Sequence, residues 1–126
     1  MENNWRYKSL QNLEKGDWGE STDSGYLVTR CNELRRIPLN EFTIEDLRIM
    51  ISQSIGLIYL IPLSLEKLQE NILAEGDYYP GDLFKSVVNI DSHFWTTNKE
   101  LHTQLKHIIA SNYSLIESKN ISLPDL

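Results

Sequence analysis

Three histidines, a single cysteine and a close-set group of acids are the side chains of this sequence best suited to chemistry. His93, His102 and His107 are the metal candidates. His102 and His107 fall on one predicted helix, where a rotation of roughly 100° per residue sets them about 140° apart around its axis. They cannot grip one ion together, and with Cys31 as the only thiol no zinc site is expected. Cys31 itself lies on an apolar helical face, where cysteine acts as a small core residue. No Gly-x-Ser-x-Gly elbow supplies another nucleophile. Gly16-Asp17-Trp18-Gly19 has neither the length nor the lysine of a phosphate-cradling loop. The expectation is a chain with no catalytic residues, no metal ligands and no cofactor.

Glu75, Asp77 and Asp82 are the acids whose grouping could do chemistry. Neighbouring carboxylates can share acid–base work or hold a divalent cation. Their spacing does not match a calcium loop, which needs ligands at alternate positions and a distal glutamate. A solvated turn with Asp82 as the cap of the next helix is the simpler reading; an enzyme built on these carboxylates is the less favoured alternative. The same loop carries Tyr78 and Tyr79, and such rings either anchor a partner or fold inward to lock the loop to the core. Both roles stay open. The candidate contact residues are therefore Glu75, Asp77, Tyr78, Tyr79 and Asp82, joined by Asp17 and Trp18 of the first glycine-flanked loop. Trp18, like Trp95, also suits the core.

Helices must position these loops. Lys8 to Lys15 carries Leu10 and Leu13 at helical spacing and stops at Gly16. Tyr26 to Arg36 places Leu27, Cys31 and Leu34 on one face, although Tyr26-Leu27-Val28-Thr29 also reads as a strand. Thr43 is the best helix start: it can cap first-turn amides, Phe42 and Leu47 stand at the staple positions, and Glu45 and Asp46 favour the positive end of the dipole. That helix is expected to run to about Ile55, with Gly56 weakening it. Leu57 to Ile61 is apolar on every side and so is expected to be buried. Pro62 suits the first turn of a new helix ending near Asn71. After the Glu75–Asp82 loop come a helix over Leu83 to Asn89 and a last, long helix. The latter is capped by Thr97 with Glu100 at the third position and buries Leu101, Leu105, Ile108 and Leu115. Residues 119–126 read as a frayed, flexible tail. The whole predicts an all-α fold, a single-domain bundle of five to six helices spanning residues 1–126.

Composition narrows the partners. The chain has 126 residues, 40% hydrophobic and 24% charged, which is ordinary globular composition. Its net charge of −6 and pI near 5.0 repel phosphate, so direct binding to nucleic acid is not expected, while a basic protein partner is favoured. Met1-Glu2-Asn3-Asn4-Trp5 is not the start of a signal peptide. The longest apolar run, Ile55 to Leu63, is too short to span a bilayer. The expected location is the cytoplasm.

Several segments, in order and at their spacing, resemble immunity proteins of bacterial contact-dependent growth inhibition systems, the CdiI type. They are Leu13-Glu14-Lys15 before Trp18-Gly19, Leu39 with Phe42 to Arg48, and Gln53 to Leu63. Glu75 to Leu83 and Phe94-Trp95 with Asn98 complete the set. The Gly76–Leu83 block is the most telling, and the resemblance covers roughly residues 8–110. It implies a cytoplasmic, non-enzymatic antitoxin that binds the C-terminal toxin domain of a cognate CdiA effector in a one-to-one complex. The toxin of such a pair is often a nuclease. The resemblance offers no catalytic residues to carry over. A helical adaptor or regulator of another pathway is the alternative from a different class.

Overall fold

The computed structural model describes residues 4–15 and 25–126. Asp17 and Trp18 lie outside these described residues. Among the described residues there are eight α-helices and no strand, with one isolated bridge between Glu75 and Pro80. In chain order the helices are α1 (Leu10–Glu14), α2 (Tyr26–Leu34), α3 (Ile44–Ser52), α4 (Leu57–Glu70), α5 (Asp82–Val88), α6 (Ser92–Thr97), α7 (Lys99–Ser111) and α8 (Tyr113–Ser118). The all-α class expected from periodicity holds, with short helices added to the five or six anticipated. Tyr26–Thr29 is helical, which settles the strand alternative.

Helix α3 is the hub, and it starts where its sequence says it should. The Thr43 hydroxyl accepts from the Asp46 amide at 3.1 Å, and the Asp46 carboxylate accepts from the Thr43 amide at 3.0 Å. Asp46 is 6% exposed and also receives Arg30 from α2 at 3.1 Å, so one carboxylate caps α3 and ties α2 to it. Leu47, Met50 and Ile51 of α3 are buried with Leu83, Phe84, Val87 and Val88 of α5, and α3 packs more extensively on α5 than on any other helix. Leu60, Ile61, Leu65 and Leu68 of α4 complete the centre, and Leu105 and Ile108 of α7 close it from the far side. Each large apolar side chain so buried is worth roughly 1.5–3 kcal/mol.

The N-terminal segment is laid against this body by polar ties. The Gln11 amide donates to the Arg35 carbonyl at 2.8 Å, and the Leu39 amide donates to the Lys8 carbonyl at 3.0 Å. Arg35, only 2% exposed, pairs with Glu14 at the end of α1. Cys31 is buried as a core residue, and burial pushes its thiol pKa up, away from nucleophilic use.

Several local expectations need correction. Helix α4 begins at Leu57, not at Pro62, because Gly56 adopts a left-handed φ of 63° and turns the chain directly into the helix. A side chain there would be strained by this φ and would press on the buried Leu10, whose Cδ1 would lie 2.7 Å from the added Cβ. Pro62 thus sits inside α4, where it removes the amide that would have bonded Ile58 one turn back. The 57–61 run is not buried all round: Leu60 and Ile61 are, but Ile58 is 44% exposed, because a helix gives the core only one face. Thr97 ends α6 and donates to the His93 carbonyl instead of capping α7. The long last helix breaks at Asn112, whose side-chain amide bonds the Ile108 carbonyl at 2.8 Å. Past that break Ile116 takes the inward position, and Leu115 is left 38% exposed. Residues 119–126 form no helix, yet Ile121, Leu123 and Leu126 pack against the core.

Two substitutions test this account. Phe84→Ala should lower unfolding stability by about 3–5 kcal/mol through a cavity at the α3–α5 contact. Thr43→Ala should cost about 1 kcal/mol by removing the cap. Urea unfolding followed by circular dichroism reads both, and an unchanged midpoint for Phe84→Ala would show that α5 does not sit on the core as described.

Candidate functional site

The segment between α4 and α5 carries most of the candidate contact residues, and it is held from behind by two carboxylates. The first is Asp82, the opening residue of α5, which is only 3% exposed. Its Oδ1 accepts from the Gly76 amide at 2.7 Å and its Oδ2 from the Tyr78 amide at 3.1 Å. The sequence predicts Asp82 as the cap of its own helix; the cap position belongs to Gly81, and the carboxylate turns back onto the preceding loop. The second is Glu45, from the first turn of α3. Its Oε1 accepts from the Asp77 amide at 2.9 Å, thirty-two residues away in sequence. Three amides of the loop are therefore fixed by charge-assisted hydrogen bonds of roughly 1.5–3 kcal/mol each.

Arg48 completes the mount. Its Nε and Nη2 donate to both oxygens of Glu45 at 2.7 and 2.6 Å, a fork-on-fork pair. Its guanidinium carbon lies 4.4 Å from the centre of the Tyr78 ring, so the cation is stacked on the aromatic face. Its Nε stands 3.9 Å from Oδ2 of Asp82, which links the two carboxylates through one cation. The Arg48 guanidinium holds the Glu45 carboxyl below the ordinary glutamate pKa against the opposing effect of burial, with the Asp77 amide adding to the lowering. A Cβ at Gly76 would lie 2.4 Å from Oε1 of Glu45, so a side chain there would push the Glu45 carboxylate out of its place.

With its backbone so held, the loop turns its side chains outward. Tyr78 is 70% and Tyr79 49% exposed, and Glu75 and Asp77 are exposed beside them. Of the candidate residues, these four share one surface, Asp82 lies beneath it, and Asp17 and Trp18 fall outside the described residues. Trp95 is 2% exposed, in the core as expected, with its ring stacked on His102 at a centroid distance of 5.7 Å. Glu45, Arg48 and Gly76 are the members of the site that sequence reasoning missed. Glu45 drew notice as a charge near a helix start and as part of the Phe42–Arg48 segment, and nothing local tied it to a loop thirty residues on.

Among the described residues, no three His, Cys, Asp or Glu side chains come together in a way that would hold a metal ion. Among them, too, no helix is long and apolar enough to cross a membrane. The structure is a helical body that carries two exposed tyrosines on a hydrogen-bonded surface loop. A family model described as CDI immunity proteins matches residues 12–105, most of the chain, and the chain belongs to that family. No curated protein and no solved structure matches it. The family is that of the immunity proteins of contact-dependent growth inhibition, so membership places the chain on the antitoxin side of such a system.

The mount makes two predictions. Gly76→Ala should displace Glu45 and speed hydrogen exchange at the Asp77 and Tyr78 amides while leaving α7 protected, as read by NMR. Glu45 gives a pH dependence whose sign follows from its lowered pKa. Its stabilising contribution is complete above the unfolded value of about 4.3 and is lost as pH falls toward the lower folded value. The loop amides should therefore lose protection below about pH 4, and Glu45→Gln should flatten that dependence. Identical pH profiles for the two proteins would remove Glu45 from the mount.

Proposed function

We propose that this chain neutralises the C-terminal toxin domain of a cognate CdiA effector by binding it one-to-one in the cytoplasm, without catalysis of its own. The observation that carries the reading is the pinned loop, in a chain that belongs to the CDI immunity family. Two exposed tyrosines on a backbone already held in place present large contact area at little ordering cost, which favours tight association. Tyr78 and Tyr79 are the proposed anchors, with Glu75 and Asp77 as the charged rim. Asp82 supports the loop from below, and Asp17 and Trp18 remain proposed contacts of the first loop.

The toxin we favour is a nuclease. A nuclease must attract phosphate and so carries a basic cleft, and a chain with a net charge of −6 is electrostatically matched to it. The opposite surface, one binding nucleic acid directly, is disfavoured by the same charge.

The test is co-expression with the C-terminal domain of the CdiA effector encoded beside this gene. A stable one-to-one complex and rescue of growth are expected; a toxin domain that purifies free of this chain would overturn the reading. Within the complex, Tyr78→Ala should weaken affinity by at least about thirtyfold, the scale of an anchor residue, and Asp77→Lys should slow association. Calorimetry and stopped-flow mixing measure these, with circular dichroism confirming that both variants fold.

A further inference from the structure

Helix α8 ends in a turn that brings the tail against the candidate loop. Asn120 takes a left-handed φ of 54°, its amide donates to the Glu117 carbonyl at 3.0 Å, and the Ile121 amide reaches back to the Ile116 carbonyl at 3.1 Å. These two bonds make a Schellman motif, with asparagine where glycine is commonest. The Lys119 amide takes the Leu115 carbonyl at 3.1 Å, so these closing carbonyls are satisfied by backbone and do not engage the Lys119 side chain. The turn lays Ile121 on Gly81, where an added Cβ would stand 3.5 Å from the isoleucine Cδ1. Tail and loop thereby frame a hollow of about 450 Å³. Tyr79 and Pro80 line it from the loop, Lys85 from α5, and Lys119, Asn120 and Ser122 from the tail.

Every charge that lines this hollow is positive. Lys85 is half-buried, and its ammonium meets only the neutral Ser122 carbonyl, at 3.3 Å. Neither Lys85 nor the exposed Lys119 pairs with a carboxylate among the described residues. That is against the trend of a chain in which acids outnumber bases 18 to 12, and in which Arg6, Arg30, Arg35 and Arg48 each hold a carboxylate. The acids closest along α5 and the loop are turned elsewhere. Asp82 accepts from the amides of Gly76 and Tyr78, Asp91 accepts from the His93 amide at 2.8 Å, and Glu75 and Asp77 are not among the walls. The Tyr79 and Ser122 hydroxyls and the Asn120 amide can donate or accept, so they do not choose the sign of a guest. The two ammonium groups do: a cation would meet like charge, whereas a carboxylate gains charge-assisted partners.

We infer that this hollow receives an aspartate or glutamate side chain of the toxin domain, seated between Lys85 and Lys119 beside the Tyr79 ring. The inference rests on the toxin-binding reading for the identity of the partner, and on the hollow alone for the charge of the guest. Tyr79 belongs both to the proposed contact loop and to the walls of the hollow, so one partner surface reaches both. The partner then has to match two signs at once, a cation toward Glu75 and Asp77 and a carboxylate toward the lysines. A uniformly basic surface satisfies the first and is repelled by the second, so the pair of lysines sets orientation and excludes wrong partners.

Removing the lysines gives a test whose sign is diagnostic. Lys85→Gln and Lys119→Gln each lose one positive charge and take the net charge from −6 to −7. Charge matching to a basic toxin predicts that both bind faster and more tightly. The hollow predicts the opposite: Lys85→Gln should weaken binding of the toxin domain at least about tenfold and Lys119→Gln about threefold, mainly through faster dissociation. The Lys119 side chain holds nothing within the chain, so its variant reads recognition apart from folding. Unchanged or tighter binding in both variants, alongside a loss in Tyr78→Ala, overturns this inference and leaves the proposed function standing. A second measurement needs no toxin. The ¹⁵N-labelled full chain is titrated at constant ionic strength with N-acetyl-glutamate methylamide and, in parallel, with the matching arginine compound. The glutamate compound should shift the amides of Lys85, Asn120 and Ser122 at tens of millimolar, and the arginine compound should not. No shift, or equal shifts from both, overturns the inference. A labelled oligonucleotide that the wild-type chain retains and both lysine variants release would assign the hollow to phosphate and overturns it too. A wild-type chain that binds no toxin domain removes the proposed function instead, while the paired titration still decides which charge the hollow accepts.

Discussion

Two carboxylates that reach backward to loop amides are the constraint on which the surface of this protein depends. Asp82 and Glu45 come from different helices, and each accepts hydrogen bonds from the segment 76–78. An irregular loop ordinarily relies on water to satisfy its amides. Here the amides are satisfied from inside, so the side chains are free to point the other way. The two helices that supply the carboxylates are also the pair in most extensive contact, so the loop is tied to the most extensively packed helix pair of the core.

Arg48 joins the electrostatics of the mount to the exposed tyrosines of the loop. A bare pair of inward carboxylates would repel each other. One guanidinium between them, forked onto Glu45 and 3.9 Å from Asp82, relieves that repulsion and spends its remaining face on Tyr78. The same side chain thus orients an aromatic ring and neutralises the mount behind it. The negative charge left over is carried by Glu75 and Asp77 at the rim, where it is exposed and acts on approach of a partner more than on the strength of final contact.

Much of the fold was legible because it rests on periodicity and capping. Thr43 had every local signal of a helix start, and the structure adds a reciprocal bond from Asp46. Sequence reasoning failed where two signals competed. Pro62 resembled a first-turn proline, but Gly56 six residues earlier supplied the left-handed turn that launches α4. Thr97 and Glu100 fitted a capping box, but Thr97 was already the last residue of α6. The loop 75–82 was legible as a place and as a set of residue types. Its mechanism was not, because the bond from Glu45 to Asp77 is long-range and no pattern within either segment encodes it. Asp82 illustrates the limit: the residue type was noticed, and the direction of its carboxylate decided whether it faces a partner or the interior.

The spatial division within the loop has an evolutionary consequence. Backbone conformation is set by Asp82, Glu45 and Gly76, whereas Tyr79, Glu75 and Asp77 contribute side chains that the scaffold itself does not use. Exchanges at those outer positions leave the internal bonds untouched, so their effects on stability should be small and nearly additive. On the proposed toxin-binding reading, a lineage pursued by a changing toxin can rewrite its specificity at the tip without redesigning the domain that carries it.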